Sequence, residues 1–195
     1  VTDDGRNLFQ ALEKNLALPL IYKEAGALTL VPSGPFLVEA RQRFSGSVGN
    51  GLLQRCLERT KGEWDWVIID CPPSLGVLTR NAFLASNGVI IPVEVNFISI
   101  AGLHQMIEVI DSMHSSNRQL QVKAIVPCRV HPRRRIFRQF MEKLETLYPD
   151  KLAPTIRESV VLAEAPGRGV PVLTSAPRSA GAEDYRKLAE WLIQH

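Results

Sequence analysis

Apolar positions change period several times along the chain. Residues 7–16 (NLFQALEKNL) set Leu8, Leu12 and Leu16 four apart with Phe9 alongside, which predicts an amphipathic helix that Pro19 stops soon afterwards. Residues 27–31 predict a short strand, residues 35–44 a helix opened by Pro35, and residues 51–60 a helix with Leu52, Leu53, Cys56 and Leu57 on one face. The helical period then disappears. Residues 66–69 form a short apolar run, β-branched at three of its four positions, and predict a buried strand that stops at Asp70. Pro72 and Pro73 prevent its continuation, because they donate no ladder hydrogen bonds. Downstream, the pattern predicts a helix over 75–85, a buried strand over 88–93 whose end is marked by Pro92, a long helix over 98–113, a strand over 122–126 and a helix over 133–147. A terminal helix over 182–193 packs Tyr185, Leu188, Ala189, Leu192 and Ile193. Strand and helix alternate. The expected fold is therefore α/β: a doubly wound, mostly parallel sheet flanked by helices, with apolar strands covered on both faces.

Composition fits one globular domain over residues 1–195, with 45% hydrophobic and 22% charged residues and no internal repeat. Cys56, Cys71 and Cys128 are odd in number, far apart and without metal-ligand spacing, so thiols in a reducing compartment are expected rather than disulfides. No apolar run of membrane-spanning length occurs, so no membrane partner is expected. A net charge of +3 is too small to imply a nucleic-acid partner by itself; its distribution carries that question.

Candidate chemistry starts at Asp70. In an open parallel sheet the ligand crevice lies outside the carboxyl ends of the strands, where an acid can hold Mg²⁺; the plainer reading of Asp70 is an N-cap or loop aspartate. Ser74 lacks a Gly-x-Ser-x-Gly context and an obvious base, which argues against a hydrolase triad. His104, His114, His131 and His195 do not cluster and read as surface or helix residues, not metal ligands. Residues 45–51 (SGSVGNG) lack the lysine and the preceding strand of a phosphate loop and read as a flexible loop. Residues 129–138 (RVHPRRRIFR) hold five arginines and one histidine at a loop-to-helix junction. Such a run suits phosphate, through guanidinium forks and the positive end of a helix, or else is an ordinary solvated helix start.

Residues 65–103, from DWVIIDCPPSLG to FISIAGL, resemble the Walker B region and following switch of the ParA/Soj-type partition ATPases, the deviant-Walker branch of P-loop proteins that includes MinD. Residues 161–173 (VLAEAPGRGVPVL) and 179–186 (SAGAEDYR) are similar to that family's C-terminal signature, and residues 28–33 (LTLVPS) to the strand before its middle helix. The resemblance implies an ATPase for plasmid or chromosome partitioning that binds Mg²⁺·ATP. Asp70 would be its catalytic, Mg²⁺-associated acid, and Cys71, Pro72, Pro73 and Ser74 the switch that senses the γ-phosphate. The nucleotide would also meet Cys128, Arg129, Glu164, Ala165 and Pro166. The resemblance further implies a homodimer on nonspecific DNA through Arg133, Arg134, Arg135, Arg138, Arg157 and Arg168, an activating partner of ParB type, and a cytoplasmic, nucleoid-associated place. Val161 departs from the family, which usually has an arginine there. The family's glycine-rich phosphate loop and the Asp-rich second strand are missing. Because the chain opens on Val1 and not Met, a lost preceding segment is expected. The alternatives are a loop-less paralogue acting as a DNA-binding or interaction module, and a positioning ATPase for another cargo.

Overall fold

A computed structural model describes residues 7–22, 28–34, 37, 39–44 and 49–195. The chain divides into two compact units, one formed by Val1–Asn87 with Ser115–Arg118, the other by Gly88–His114 with Gln119–His195.

In the first unit, helix α1 (Leu8–Lys14) starts at Asn7, whose side chain accepts from the Gln10 amide at 3.2 Å. It ends at Asn15 in the left-handed region (φ 51°), a conformation asparagine tolerates well. Strands β1 (Ile21–Tyr22) and β2 (Thr29–Leu30) pair antiparallel. Helices α2 (Ala40–Arg43), α3 (Leu52–Arg59) and α4 (Val77–Leu84) follow, and Phe9, Leu12, Phe44, Leu53 and Cys56 form the buried centre. Asn81 is buried yet satisfied: it accepts from the Leu53 amide at 3.2 Å and donates to the carbonyls of Gly49 (2.7 Å) and Val77 (2.9 Å), tying α4 to the start of α3. Gly49 is required there, since a Cβ would lie 1.9 Å from the Phe44 carbonyl oxygen. Of the expected helix over 35–44, residues 35, 36 and 38 lie outside the described residues. So do residue 27 of the expected strand and residues 45–48 of the glycine-rich loop.

The buried strand expected over 66–69 does not form. Trp66, Val67 and Ile68 are 58%, 55% and 84% exposed and belong to no sheet. β propensity reports fit to a pleated, half-buried surface, and a strand exists only beside a ladder partner; among the described residues none pairs with this segment.

The second unit carries a parallel sheet in the order β3 (Gly88–Glu94), β4 (Gln121–Val130), β5 (Ile156–Arg157). Pro92 does not end β3, which continues to Glu94 opposite Cys128. Among the described residues β3 pairs with β4 alone, and an edge strand tolerates the missing proline N–H. Helices α5 (Phe97–Ser112), α6 (Arg135–Leu147), α7 (Val160–Arg168), α8 (Val172–Ser175) and α9 (Ala180–Gln194) complete the unit. Leu188, Trp191 and Leu192 of α9 pack with Leu162 over Ala124, Val126, Ala153 and Ile156. The expected mostly parallel sheet flanked by helices is present here. None of the described helices is long and apolar enough to cross a membrane.

Candidate functional site

The carboxyl ends of the three parallel strands meet around an open cleft of about 370 Å³, lined by Glu94, Val95, Arg129, His131, Arg134 and Glu158. Each side chain arrives by a local device. Glu94 closes β3. Arg129 sits at a register irregularity, where the pairs Cys128–Ile156 and Val130–Arg157 leave one residue of β4 unmatched, and its φ is 53°. Such a bulge re-aims a side chain, and a left-handed non-glycine residue persists only where its surroundings hold it. Those surroundings are carboxylates: Arg129 donates from Nη1 to Glu94 Oε1 at 2.9 Å and from Nη2 to Glu158 Oε1 at 3.3 Å. His131 Nε2 contacts the other oxygen of Glu158. The hydrogen bond from Arg129 holds the Glu158 carboxyl below the ordinary range, with the His131 contact adding to it. In return Glu94 first, then Glu158, raise the Arg129 guanidinium above its usual value.

Arg133, Arg134, Arg135 and Arg138 surround the start of α6, all exposed, and none has an ion-pair partner among the described residues. Arg134 is the N-cap residue and makes no side-chain capping bond. The first turn of α6 carries no acid, so the helix end and the arginines together present a positive surface.

Arg157 is placed differently. Its Nε reaches both oxygens of Asp184 (3.1 and 2.9 Å), Nη2 reaches Asp184 Oδ1 at 2.6 Å, and its backbone N–H donates to Oδ2 at 2.9 Å. Nη2 also donates to the Ala180 carbonyl and to Glu183. This guanidinium anchors the start of α9 to β5. Arg168 pairs with Glu164 one turn back at 2.6 Å, so two expected site residues are engaged with each other. Ala165 is buried, Pro166 lies inside α7, and Cys128 is half-buried, with its thiol pushed up by burial.

In the first unit Asp70, Cys71 and Pro73 are exposed, and Pro72 and Ser74 are partly covered, in a short irregular stretch before α4. No cluster of three or more His, Cys, Asp or Glu among the described residues could hold a metal. Glu94 and Glu158 escape the sequence reading. The rule that singles out Asp70, an acid at the end of an apolar strand, applies equally to Glu94 after GVIIPV.

Residues 3–122 match the family described as AAA domain. The chain is 38% identical over 140 residues to the sporulation initiation inhibitor protein Soj of Bacillus subtilis, covering 71% of this chain and 55% of that protein. It belongs to the ParA/Soj-type partition ATPase family. Among solved structures, cobyrinic acid a,c-diamide synthase of Mycobacterium smegmatis with a bound ATP analog and magnesium superposes with a TM-score of 0.80 at 27% identity, over 97% of this chain and 72% of that one. A putative plasmid partition protein of Borrelia burgdorferi bound to AMPPNP shares the fold with a TM-score of 0.84 at 20% identity, over 100% and 76%. The fold is thus that of P-loop NTPases of ParA/MinD type, and the family resemblance read from residues 65–103 and 161–186 is borne out. The chain spans a little over half the length of Soj.

Proposed function

We propose that this chain is the Walker B and C-terminal part of a ParA-like partition ATPase. Completed by a phosphate loop, it would bind Mg²⁺·ATP, dimerise and hold nonspecific DNA in the cytoplasm, on the nucleoid, with a ParB-like or other protein stimulating turnover. The observation that carries the DNA-binding part is the row of exposed arginines at the start of α6, without ion-pair partners among the described residues. Guanidinium groups of this kind neutralise phosphates without reading bases, which suits a nonspecific partner. The same geometry weighs against Arg157 and Arg168 as first contacts, because both are already committed to carboxylates.

Replacing Arg133, Arg134 and Arg135 together by alanine is expected to weaken DNA binding alike for all sequences. The slope of log K against log salt should become shallower by ~0.9 for each phosphate no longer neutralised. Weakening confined to one sequence would point to base readout, and an unchanged affinity would reduce the cluster to a solvated helix start.

For Asp70 the reading is that of an acid which positions Mg²⁺ in a polypeptide that also carries a phosphate loop. There Asp70→Ala should abolish Mg²⁺-dependent ATP turnover while leaving circular dichroism and the melting profile unchanged, since the side chain is exposed and supports no packing. Undiminished hydrolysis by the folded variant would remove Asp70 from the site.

A further inference from the structure

The cleft contains a cation that the DNA reading leaves unused. Arg129 is separated from Arg133 and Arg134 by a short loop, and Arg134 lines the same cleft. By charge alone Arg129 should extend the phosphate-binding surface. Its guanidinium, however, is spanned by two carboxylates at 2.9 and 3.3 Å, and the bulge at φ 53° fixes the direction in which its side chain leaves β4. A phosphate approaching Arg129 would meet Glu94 and Glu158 at nearly the same distance as the cation, so attraction and repulsion largely cancel. Arg134, in the same cleft, has no ion-pair partner among the described residues.

We propose that Glu94 and Glu158 together mask Arg129 from nucleic-acid phosphates and so set the edge of the DNA-binding surface at His131–Arg133. This rests on the DNA-binding reading above and adds a boundary to it: the surface begins at Arg133, and the acids at the strand ends hold the next cation in reserve. Glu94 holds Arg129 at the shorter distance, while Glu158 takes Arg129 with one oxygen and His131 with the other. Removing the Glu158 charge therefore frees one side of the Arg129 fork and loosens His131 together. Surface pairs of this exposure exchange readily with other anions once one carboxylate is gone.

The test measures binding of a short duplex of arbitrary sequence by fluorescence anisotropy across a salt series, using the polypeptide extended by a phosphate loop, with Mg²⁺·ATP present, and its variants. Arg129→Gln should leave affinity and salt slope unchanged although it deletes a positive charge, whereas Arg134→Gln should weaken binding and flatten the slope. Glu158→Gln should tighten binding by roughly 5- to 10-fold at about 0.1 M salt and steepen the slope by ~0.9, as engaging one further phosphate does. Glu190→Gln, at an exposed position of α9, makes the same change in net charge away from the cleft and should do neither. Combining Glu158→Gln with Arg129→Gln should restore the original slope. The proposal is overturned if Arg129→Gln weakens binding as much as Arg134→Gln, or if Glu158→Gln behaves like Glu190→Gln. If the extended polypeptide and its Glu158→Gln variant both fail to bind DNA, the DNA reading falls and this inference with it. Binding that depends on Arg134 but ignores Glu158 overturns the inference alone. Should Glu158→Gln not fold, as judged by circular dichroism, the Arg129→Gln comparison decides by itself.

Discussion

Titrated with Mg²⁺·ATP in a calorimeter, the 195-residue chain is expected to show no saturable binding at micromolar concentrations and no hydrolysis. Family membership argues for nucleotide binding, so the expectation needs a physical reason. A triphosphate leaves water only where backbone N–H groups and a lysine replace its hydration, and the sequence has no Gly-rich loop with that lysine. Asp70 cannot substitute. A single exposed carboxylate repels the triphosphate without Mg²⁺, and Mg²⁺ held by one acid binds weakly because it relies on the substrate phosphates as further ligands. The arginines of α6 attract phosphate but give it no enclosing cradle. A polypeptide extended by a phosphate loop, titrated beside this one, should bind. Micromolar affinity in the short chain would mean that some other part of it supplies the cradle.

The largest single-residue decrease in stability is expected at Asp184. Its carboxylate is buried, takes side-chain and backbone hydrogen bonds from Arg157, and fixes the first turn of α9 to β5. Asp184→Ala leaves the Arg157 amide and guanidinium without their acceptor and should cost about 2–4 kcal/mol, read as an earlier denaturation midpoint. Trp191, packed on the same helix against the sheet, supplies the fluorescence signal. The pair also has a pH signature. Burial pushes the Asp184 carboxyl up, but the hydrogen bonds from Arg157 outweigh it and the net shift is downward from the ordinary 3.8. A carboxyl depressed in the folded state stabilises above its unfolded value and gives up that contribution as pH falls through the folded one. Stability should therefore decline below about pH 3.8 as Asp184 takes up its proton, and Asp184→Asn should flatten that acid limb. An unchanged midpoint in the alanine variant would show that α9 is held by its apolar face alone.

Where the cause of an element is local, the residues announce it. The leucine spacing of 7–16 and the apolar period of 75–85 and 98–113 place α1, α4 and α5 to within about two residues. The run GVIIPV places β3, but Pro92 carries less weight than its position implies: it forbids a ladder bond on one side only, and β3 has a side where none is made among the described residues. Residues 66–69 mislead because β-branched side chains announce suitability for a sheet, whereas membership depends on a neighbour that the local sequence does not contain. Arg157 illustrates the same limit at the site. Its partner lies 27 positions away, so nothing around it distinguishes an anchored guanidinium from a free one. The four arginines of 133–138 are readable because their exposure follows from density: five arginines within ten residues cannot all find acids nearby.

Trp66, Val67 and Ile68 bear on how readily this chain associates with itself. An aromatic and two β-branched residues in sequence, displayed to solvent and outside any sheet, are the kind of segment that adds to another sheet edge and seeds intermolecular association. They also resemble what chaperones grip and what proteases enter first when an unfolded stretch presents itself. Where this stretch stays exposed, association through it is a route to loss of folded protein separate from unfolding of the core around Phe9 and Cys56. A charged residue at Ile68, the most exposed of the three, would act as a gatekeeper and delay the onset of turbidity in a concentrated solution of the chain without touching any of the arginines of residues 129–138.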